Sequence, residues 1–148
     1  MILKHMKIRE MKEEDLEEIA KLFANEYAKP PYDVQVPFEN TLASVKFFFK
    51  RGAGLVAEKD NVVGALIYDV QLYQKGKVAS IKEFVVNANY QGQGIGKKLL
   101  QAYENMCDDV FLFKLGTNRD AKAVRFYEKL GYKTTEGSIT MVKTSDKP

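Results

Sequence analysis

The segment that most constrains the fold is NYQGQGIGKKLL, residues 89–100, in which glycines stand at positions 92, 94 and 96. A glycine inside a regular element is destabilising by roughly 0.5–1 kcal/mol relative to alanine, so three of them in five residues indicate a turn or a close approach to the backbone. The apolar run VASIKEFVV predicts a strand that ends near Val86, and the residues after the glycines predict a helix that begins near Gly92. The chain must therefore contain a strand, a glycine loop and a helix in direct succession.

The spacing of apolar residues on either side of this unit predicts one α/β domain over residues 1–148, with the element order β-α-α-β-β-β-α-β-α-β-β. The run DDVFLFKLG is mostly apolar, which is typical of a strand buried on both faces. The predicted strands span residues 5–11, 54–58, 62–73, 78–86 and 108–116, with a final hairpin in residues 132–143, and the predicted helices span residues 12–27, 38–51, 92–106 and 119–131.

The composition is that of a soluble globular protein. With 148 residues the chain can bury one core, and 45% hydrophobic with 29% charged residues is ordinary for such a domain. No apolar run approaches the roughly 20 residues of a membrane span, and the first residues lack the apolar region of a signal peptide. The sequence therefore predicts a cytoplasmic protein without membrane contact, in which residues 144–148 form a flexible tail.

The charged and metal-binding residues exclude several classes of function. A net charge of +3 is too small to indicate nucleic-acid binding. The single histidine, His5, and the single cysteine, Cys107, argue against a zinc site, so no metal is predicted. His5 lies close to the first residue and is expected at the surface. Cys107 lies away from the start of the glycine segment, so it is a poor candidate for a catalytic nucleophile. Chemistry in this chain must then use carboxylates, tyrosines and backbone groups.

The glycine segment has the properties of an anion site. A helix N-terminus offers about four unpaired amides and a partial positive charge, and glycines let a phosphate approach those amides closely. Two better-known phosphate-binding patterns do not match. The dinucleotide fingerprint requires a glycine where Lys97 stands, and the phosphate loop of nucleotide triphosphatases requires a glycine where Gln91 stands. The pattern that remains is Gln91-x-x-Gly94-x-Gly96, which suggests a cradle for a pyrophosphate.

This pattern resembles the coenzyme A-binding motif of the GNAT superfamily of N-acetyltransferases, Gln/Arg-x-x-Gly-x-Gly/Ala. Two other segments resemble the same superfamily: DAKAVRFYEKLGYK is similar to its later helix signature, and IREMKEEDLEEIAKLF is similar to its opening strand and helix. The order of the predicted elements is also the order of the family, so the resemblance covers nearly the whole chain. It implies the GNAT fold, an α/β fold with a mixed central sheet.

The resemblance implies acetyl-CoA as co-substrate and assigns its binding residues. Backbone amides of the glycine segment would hold the pyrophosphate, and the pantetheine arm would pair with the strand before it, where an amide would bond the thioester carbonyl. Many members carry an asparagine three residues before Ala123, whereas this chain has Asp120 there and Asn118 two residues earlier. The implied cofactor-binding residues are Phe84, Val85, Val86, Gln91, Gly92, Gln93, Gly94, Ile95, Gly96, Lys97, Asn118 and Asp120.

Two residues match catalytic positions of the family. Tyr127 matches the tyrosine that many members use as the acid that protonates the departing thiolate; the alternative is that its ring only packs in the core. Glu83 matches a position where many members carry a general base, and a carboxylate in an apolar strand can have a raised pKa. The alternative is that Glu83 points to solvent.

The resemblance implies direct transfer of an acetyl group from acetyl-CoA to a primary amine in a ternary complex. The identity of the acceptor stays open: it is a protein α-amine, a lysine or a small cationic amine. An acyl donor other than acetyl-CoA and a homodimer are also open alternatives. Family members line the acceptor site with the segment between the first two helices, which here holds Glu26, Asp33 and Glu39 and predicts an acidic mouth. A non-catalytic acyl-CoA-binding module of the same fold is the alternative function.

Overall fold

The structure, a computed structural model, describes residues 5–119 and 122–145. The chain divides into two compact units, residues 1–116 and residues 117–148. Asp120 lies outside the described residues, as do residues 146–148 of the predicted tail. Among the described residues, no helix is long and apolar enough to cross a membrane.

The first unit is built on a five-stranded mixed sheet whose strands lie side by side in chain order. The first four strands pair antiparallel, and the fifth pairs parallel with the fourth. This sheet, with four helices in the order predicted, confirms the predicted α/β fold. The strands are β1 (Lys7–Glu10), β2 (Ala53–Glu58), β3 (Val62–Tyr73), β4 (Gly76–Val86) and β5 (Val110–Lys114).

Two helices, α1 (Leu16–Tyr27) and α2 (Phe38–Arg51), cover one face of the sheet. Their apolar residues at helical spacing, such as Phe23 and Val45, form a buried core with Ala65 and Ile67 of β3. Because side chains alternate across a strand, the neighbours of these two β3 residues lie on the other face of the sheet. The first two helices and their core are as predicted.

The helix α3 (Ile95–Met106) packs on the opposite face of the sheet. The ring of its buried Tyr103 lies 5.0 Å from the ring of Tyr68 in β3. A Cβ at Gly64 would stand 3.1 Å from Leu99 Cδ1, so glycine at this position lets α3 approach the sheet closely. The sheet is thus enclosed between α1 and α2 on one side and α3 on the other.

The prediction that the DDVFLFKLG strand is buried on both faces is wrong. In the described part of the chain β5 lies at the end of the sheet, and its Phe111 and Leu112 are about half exposed. An apolar run predicts that a segment prefers burial, but it does not specify the position of that segment in a sheet.

The second unit contains one short helix, α4 (Ala123–Lys129). The helix ends where predicted: Gly131 has φ 94° and donates to Glu128 O at 3.1 Å, while Tyr132 N donates to Tyr127 O at 3.1 Å. This pair of bonds is a Schellman motif, which requires a left-handed residue.

The hairpin predicted in residues 132–143 is wrong as a pair of strands, because no strand is assigned in residues 132–145. The segment does contain a local bond near the predicted turn, from Thr135 Oγ1 to Ser138 O at 3.3 Å. Alternation of apolar residues predicts an extended conformation, whereas a strand also requires a hydrogen-bonded partner that the pattern does not specify.

Candidate active site

The glycine loop, residues 87–94, connects β4 to α3 and contains a short 3-10 turn, Ala88–Tyr90. Gly92 has φ 81° and Gly94 has φ 83°, in the left-handed region. A residue with a side chain would be strained there by roughly 1–2 kcal/mol, so the backbone conformation explains both glycines. Because this conformation is not helical, α3 begins at Ile95, later than the predicted start near Gly92.

Side chains within the glycine loop hold it against the sheet. Gln91 Nε2 donates to Val86 O at 2.9 Å, and Asn87 Oδ1 accepts a bond from Asn89 N at 2.9 Å. The backbone of Asn87 is anchored by a bond from its N to Val63 O at 2.8 Å. The carboxamide of Gln91, the first residue of the motif, therefore fixes the end of the loop to β4.

The first amides of α3 are available to a ligand. The helical hydrogen bonds begin with Lys98 N, which donates to Gly94 O at 3.0 Å. The amides of Ile95, Gly96 and Lys97 come before that bond, and none of them has an acceptor among the described residues. Three such amides at the positive end of a 12-residue helix form an anion site.

Gln93 adds a second polar group at this place. Its Oε1 is buried and has no hydrogen-bond partner among the described residues. A buried acceptor without a partner is costly, and a ligand that carries an N–H or O–H group would relieve that cost.

The strand β4 separates from β5 before it reaches the glycine loop. The ladder between them covers residues 77–80 of β4, and β4 continues to Val86. Phe84, Val85 and Val86 therefore lie beyond the end of that ladder. The Val85 side chain belongs to the buried core.

A β-bulge in β4 sets the direction of Glu83. Ile67 pairs with Glu83 and Tyr68 pairs with Ile81, so Lys82 is an extra residue. A bulge of this kind redirects the side chains near it. The bulge explains why simple alternation along the strand is not sufficient to place the Glu83 side chain.

Glu83 is hydrogen-bonded to Tyr27 at the end of α1. Tyr27 Oη donates to Glu83 Oε2 at 2.8 Å, so the alternative in which Glu83 points to solvent is wrong. The ring of Tyr27 stacks on Phe23 at 5.7 Å and meets the edge of Tyr32 at 5.6 Å. Sequence analysis missed this bond because 56 positions separate the two residues and no local pattern links them.

The environment of the pair changes the pKa of both groups. Burial raises the pKa of Glu83 above its ordinary value, and the hydrogen bond from Tyr27 acts in the opposite direction. Burial, and then the charge of Glu83, raise the pKa of Tyr27, so its hydroxyl remains a donor at neutral pH. Glu83 thus combines a raised pKa with a fixed orientation, which are the properties of a general base.

A cleft opens beside this pair, between α1, α2 and the segment that joins them. It consists of two adjoining cavities of about 270 and 210 Å³, and we call both together the acceptor cleft. Their lining residues are Phe23, Ala24, Tyr27, Ala28, Val34, Gln35, Val36, Asn40, Thr41, Ser44, Val45 and Glu83.

The predicted acidic mouth does not line the acceptor cleft. Glu26 is paired with Lys29 at 2.9 Å, and neither Asp33 nor Glu39 is among the lining residues. Acidic residues in a loop sequence do not indicate a binding site unless their side chains turn toward it. In this structure the carboxylate that lines the cleft belongs to Glu83 of β4.

The other predicted residues lie elsewhere in the chain. Tyr127 belongs to α4 in the second unit, where its ring contacts Phe126 at 5.3 Å and Tyr132 at 5.7 Å. Asn118 also belongs to the second unit. Cys107 is buried at the end of α3, and burial raises the pKa of its thiol, which makes it a poor nucleophile. The described residues contain no group of three His, Cys, Asp or Glu side chains that could hold a metal.

Comparison with known families agrees with this geometry. The profile of the family described as "Acetyltransferase (GNAT) domain" matches residues 38–144. The chain belongs to the GNAT acetyltransferase family. The family binds acetyl-CoA, and the amides at the start of α3 and the left-handed glycines fit the pyrophosphate of that molecule.

Solved structures share the same fold. A possible acetyltransferase from Clostridium difficile 630 has a TM-score of 0.82 at 23% identity, over 95% of this chain and 98% of the other. An aminoglycoside acetyltransferase from an uncultured soil metagenomic sample, in complex with sisomicin, has a TM-score of 0.74 at 24% identity, over 99% and 100%. AAC(6')-Iy in complex with a bisubstrate analogue, CoA-S-monomethyl-acetylneamine, has a TM-score of 0.72 at 19% identity, over 95% and 99%.

Proposed function

We propose that this GNAT protein is an N-acetyltransferase that transfers the acetyl group of acetyl-CoA directly to a primary amine in a ternary complex. The observation that carries the proposal is the set of three amides at Ile95, Gly96 and Lys97, which have no acceptor among the described residues and stand at the end of the loop that follows β4. A single acetyltransferase domain over residues 1–148 and a cytoplasmic location belong to the same proposal.

In this proposal the backbone around the glycine loop binds acetyl-CoA. Residues 91–97 hold the pyrophosphate, with Gly92 and Gly94 keeping side chains away from it and Lys97 adding positive charge. Backbone groups of Phe84, Val85 and Val86 pair with the pantetheine arm. An amide there stabilises the negative charge that develops on the carbonyl oxygen during attack. Asn118 and Asp120 are proposed to contact the arm nearer its thiol end.

The transfer requires the acceptor nitrogen to lose two protons and the departing thiolate to gain one. The acceptor arrives as an ammonium, and Glu83 removes one proton, directly or through a water molecule. The neutral amine then attacks the thioester carbonyl, the carbon–sulfur bond breaks, and the thiolate takes a proton from the Tyr127 hydroxyl. The nitrogen releases its second proton through water, which restores the Tyr127 hydroxyl. A tyrosine with a pKa of about 10 can serve as such a donor to a thiolate. The products are an acetamide and free coenzyme A.

The binding proposal is tested by the dissociation constant of acetyl-CoA in two glycine variants. Gly94→Val introduces a branched side chain into the glycine loop, and we expect the dissociation constant measured by calorimetry to rise at least about tenfold. Gly76→Val is the matched control: Gly76 also has a positive φ, 131°, but lies at the start of β4, far along the strand from the loop. Equal dissociation constants for both variants and the unchanged protein would contradict the proposal.

Catalysis is tested separately by the release of coenzyme A thiol with a panel of primary amines. We expect amine-dependent release that Glu83→Gln lowers strongly. Tight binding of acetyl-CoA with no turnover of any amine would instead favour the non-catalytic acyl-CoA-binding module.

A further inference from the structure

We propose that the acceptor cleft is specific for a single primary amine on an aliphatic or hydroxylated chain, and that it discriminates against acceptors with a second positive charge. This inference rests on the proposed function, because it assigns the acceptor class of the same site. It differs from the polycationic acceptors, sisomicin and an acetylneamine, that are bound in two of the related structures.

The charge of the acceptor cleft matches one ammonium group. Among the described residues, Glu83 is the one carboxylate that lines either cavity. A cation that leaves water needs an opposite charge close to it, since an unpaired buried charge is very costly. Glu83 can balance the charge of one ammonium group. In the proposed reaction it then accepts a proton from that same group.

The acids nearest to the acceptor cleft in sequence are not available for a second ammonium. The side chain of Glu26 is only 10% exposed and is paired with Lys29 at 2.9 Å. Asp33 and Glu39 are exposed and do not line either cavity. A diamine in the acceptor cleft would therefore have one ammonium against neutral groups.

The remaining walls suit a neutral chain. Val34, Val36, Val45 and Phe23 provide apolar surface for methylene groups, and each buried methylene strengthens binding about fourfold. On α2, a line of neutral polar side chains faces the cavity that contains Glu83, and its hydroxyl and amide groups can bond a hydroxyl of the acceptor. These residues are Asn40, Thr41 and Ser44.

The size of the acceptor cleft also favours a small acceptor. Its cavities, about 270 and 210 Å³, are each smaller than the roughly 300–1,000 Å³ of sites for drug-sized ligands. The two cavities share Tyr27, Val34, Val36 and Thr41, so they adjoin, and Glu83 lines the smaller one. An acceptor with a few methylene groups is small enough for this cavity.

The test compares two acceptors that differ only in their far end, 4-amino-1-butanol and 1,4-diaminobutane, with saturating acetyl-CoA. The measurement is kcat/KM for release of coenzyme A thiol at neutral pH, where the diamine carries two charges. We expect the amino alcohol to be preferred at least about tenfold. An equal or higher kcat/KM for the diamine would overturn the inference.

A designed charge makes the test sharper. Val36 lines both cavities and is about half exposed, so an aspartate there can be accommodated. Val36→Asp adds a second carboxylate and should reduce the preference for the amino alcohol at least fivefold. Val36→Asn introduces a side chain of the same shape as aspartate but without its charge, and it should leave the preference unchanged. The same change of preference in both variants would contradict the charge argument.

Failure of this inference is distinct from failure of the proposed function. If calorimetry shows that acetyl-CoA binds but the protein acetylates only polycations, or neither of the two acceptors, the single-amine inference is overturned while acetyl-CoA binding stands. If acetyl-CoA does not bind, the proposed function itself is wrong.

Discussion

Glu83 is the residue whose environment the sequence leaves most open and the structure determines. A glutamate in an apolar strand has two available outcomes, solvent exposure or a paired and partly buried carboxylate, and its own sequence does not decide between them. The bulge at Lys82 and the hydroxyl of Tyr27 decide for the second. Tyr27 is therefore a positioning residue: it orients the carboxylate and favours its charged form.

Tyr27→Phe should change the pH dependence of the reaction. The hydrogen bond from Tyr27 lowers the pKa of Glu83 and burial raises it, so loss of the bond leaves burial unopposed and the pKa rises. Because the base must be ionised, the acid limb of kcat/KM should move to higher pH, and kcat/KM on that limb should fall. The measurement is kcat/KM for coenzyme A release between pH 5 and pH 9.

Tyr32→Phe is the control for this variant, since Tyr32 meets the Tyr27 ring by an edge contact that phenylalanine retains. The other described residues that line the cavity with Glu83 are neutral, including Asn40, Thr41 and Ser44 of α2, so none of them adds a charge that masks the effect. An unchanged acid limb in Tyr27→Phe would mean that Tyr27 does not act on the base.

The residues of the glycine loop illustrate how much a motif predicts. The pattern Gln91-x-x-Gly94-x-Gly96 predicted a loop with approachable amides, and the structure has them. It did not predict that α3 begins only at Ile95, because the left-handed φ of Gly92 and Gly94 is a property of the backbone that composition does not determine. It also did not predict that Gln91 bonds Val86 O, since a long polar side chain has several partners available.

At the scale of elements, an ion-pair network joins the first strand, the first helix and the second strand. Arg9 of β1 donates two bonds of 2.8 Å to Asp15, just before α1, and contacts Glu58 of β2 at 3.0 Å. Asp15 also accepts a bond from Lys12 N at 2.7 Å. The bonds from Arg9 hold the pKa of Asp15 below its ordinary value, although burial opposes them.

Asp15→Asn should destabilise the protein, because it removes a charged acceptor from a mostly buried pair and leaves the Arg9 charge without its closest partner. We expect the free energy of unfolding to fall by about 1–3 kcal/mol, as measured with urea at pH 7. Since folding lowers the pKa of Asp15, its contribution is present above the unfolded pKa, 3.8, and is lost as the pH falls through the lower folded pKa. The two proteins should therefore become more similar in stability as the pH falls below 3.8.

Glu17→Gln provides the comparison, since Glu17 forms an exposed contact of 3.9 Å with Lys21 on the surface of α1. Exposed pairs of this kind add little, so this variant should stay within about 0.5 kcal/mol of the unchanged protein. A loss of equal size in both variants would show that the Asp15 network is no stronger than a surface pair.

The elements that were predicted correctly are those whose signal is local. The predicted helices 12–27 and 38–51 correspond to α1 and α2, and the predicted strands 54–58 and 62–73 correspond to β2 and β3. The elements that were predicted wrongly depend on distant partners. The apolar run of β5 gave no information on its position in the sheet, and residues 132–143 needed a second backbone to become strands.

At the scale of the whole molecule, the two residues proposed to move protons belong to different units of the chain. Glu83 lies in the unit of residues 1–116, and Tyr127 lies in the unit of residues 117–148. The proposed binding of acetyl-CoA through the glycine loop and the proposed protonation of its thiolate by Tyr127 should therefore be separable by mutation.

Tyr127→Phe should lower kcat at least about tenfold while the dissociation constant of acetyl-CoA changes less than twofold. The substitution removes only the hydroxyl, so the ring contacts with Phe126 and Tyr132 are retained. Turnover is measured as release of coenzyme A thiol, and binding is measured by calorimetry. Unchanged kcat would assign Tyr127 to packing alone and remove it from the proposed mechanism.

The stability of the whole chain should respond to acetyl-CoA more than to other phosphates. A ligand at about 100 times its dissociation constant stabilises the folded state by roughly 2.7 kcal/mol, which raises the thermal midpoint of a protein of this size by several degrees. In the proposed binding mode, the amides at the start of α3 bind any phosphate, and only a ligand with a pantetheine arm also pairs with the part of β4 beyond its ladder with β5. ATP and NAD, which lack that arm, should therefore raise the midpoint much less at equal concentration. A rise that is equal for all three would indicate a general anion site, and Gly94→Val should abolish the part of the rise that is specific to acetyl-CoA.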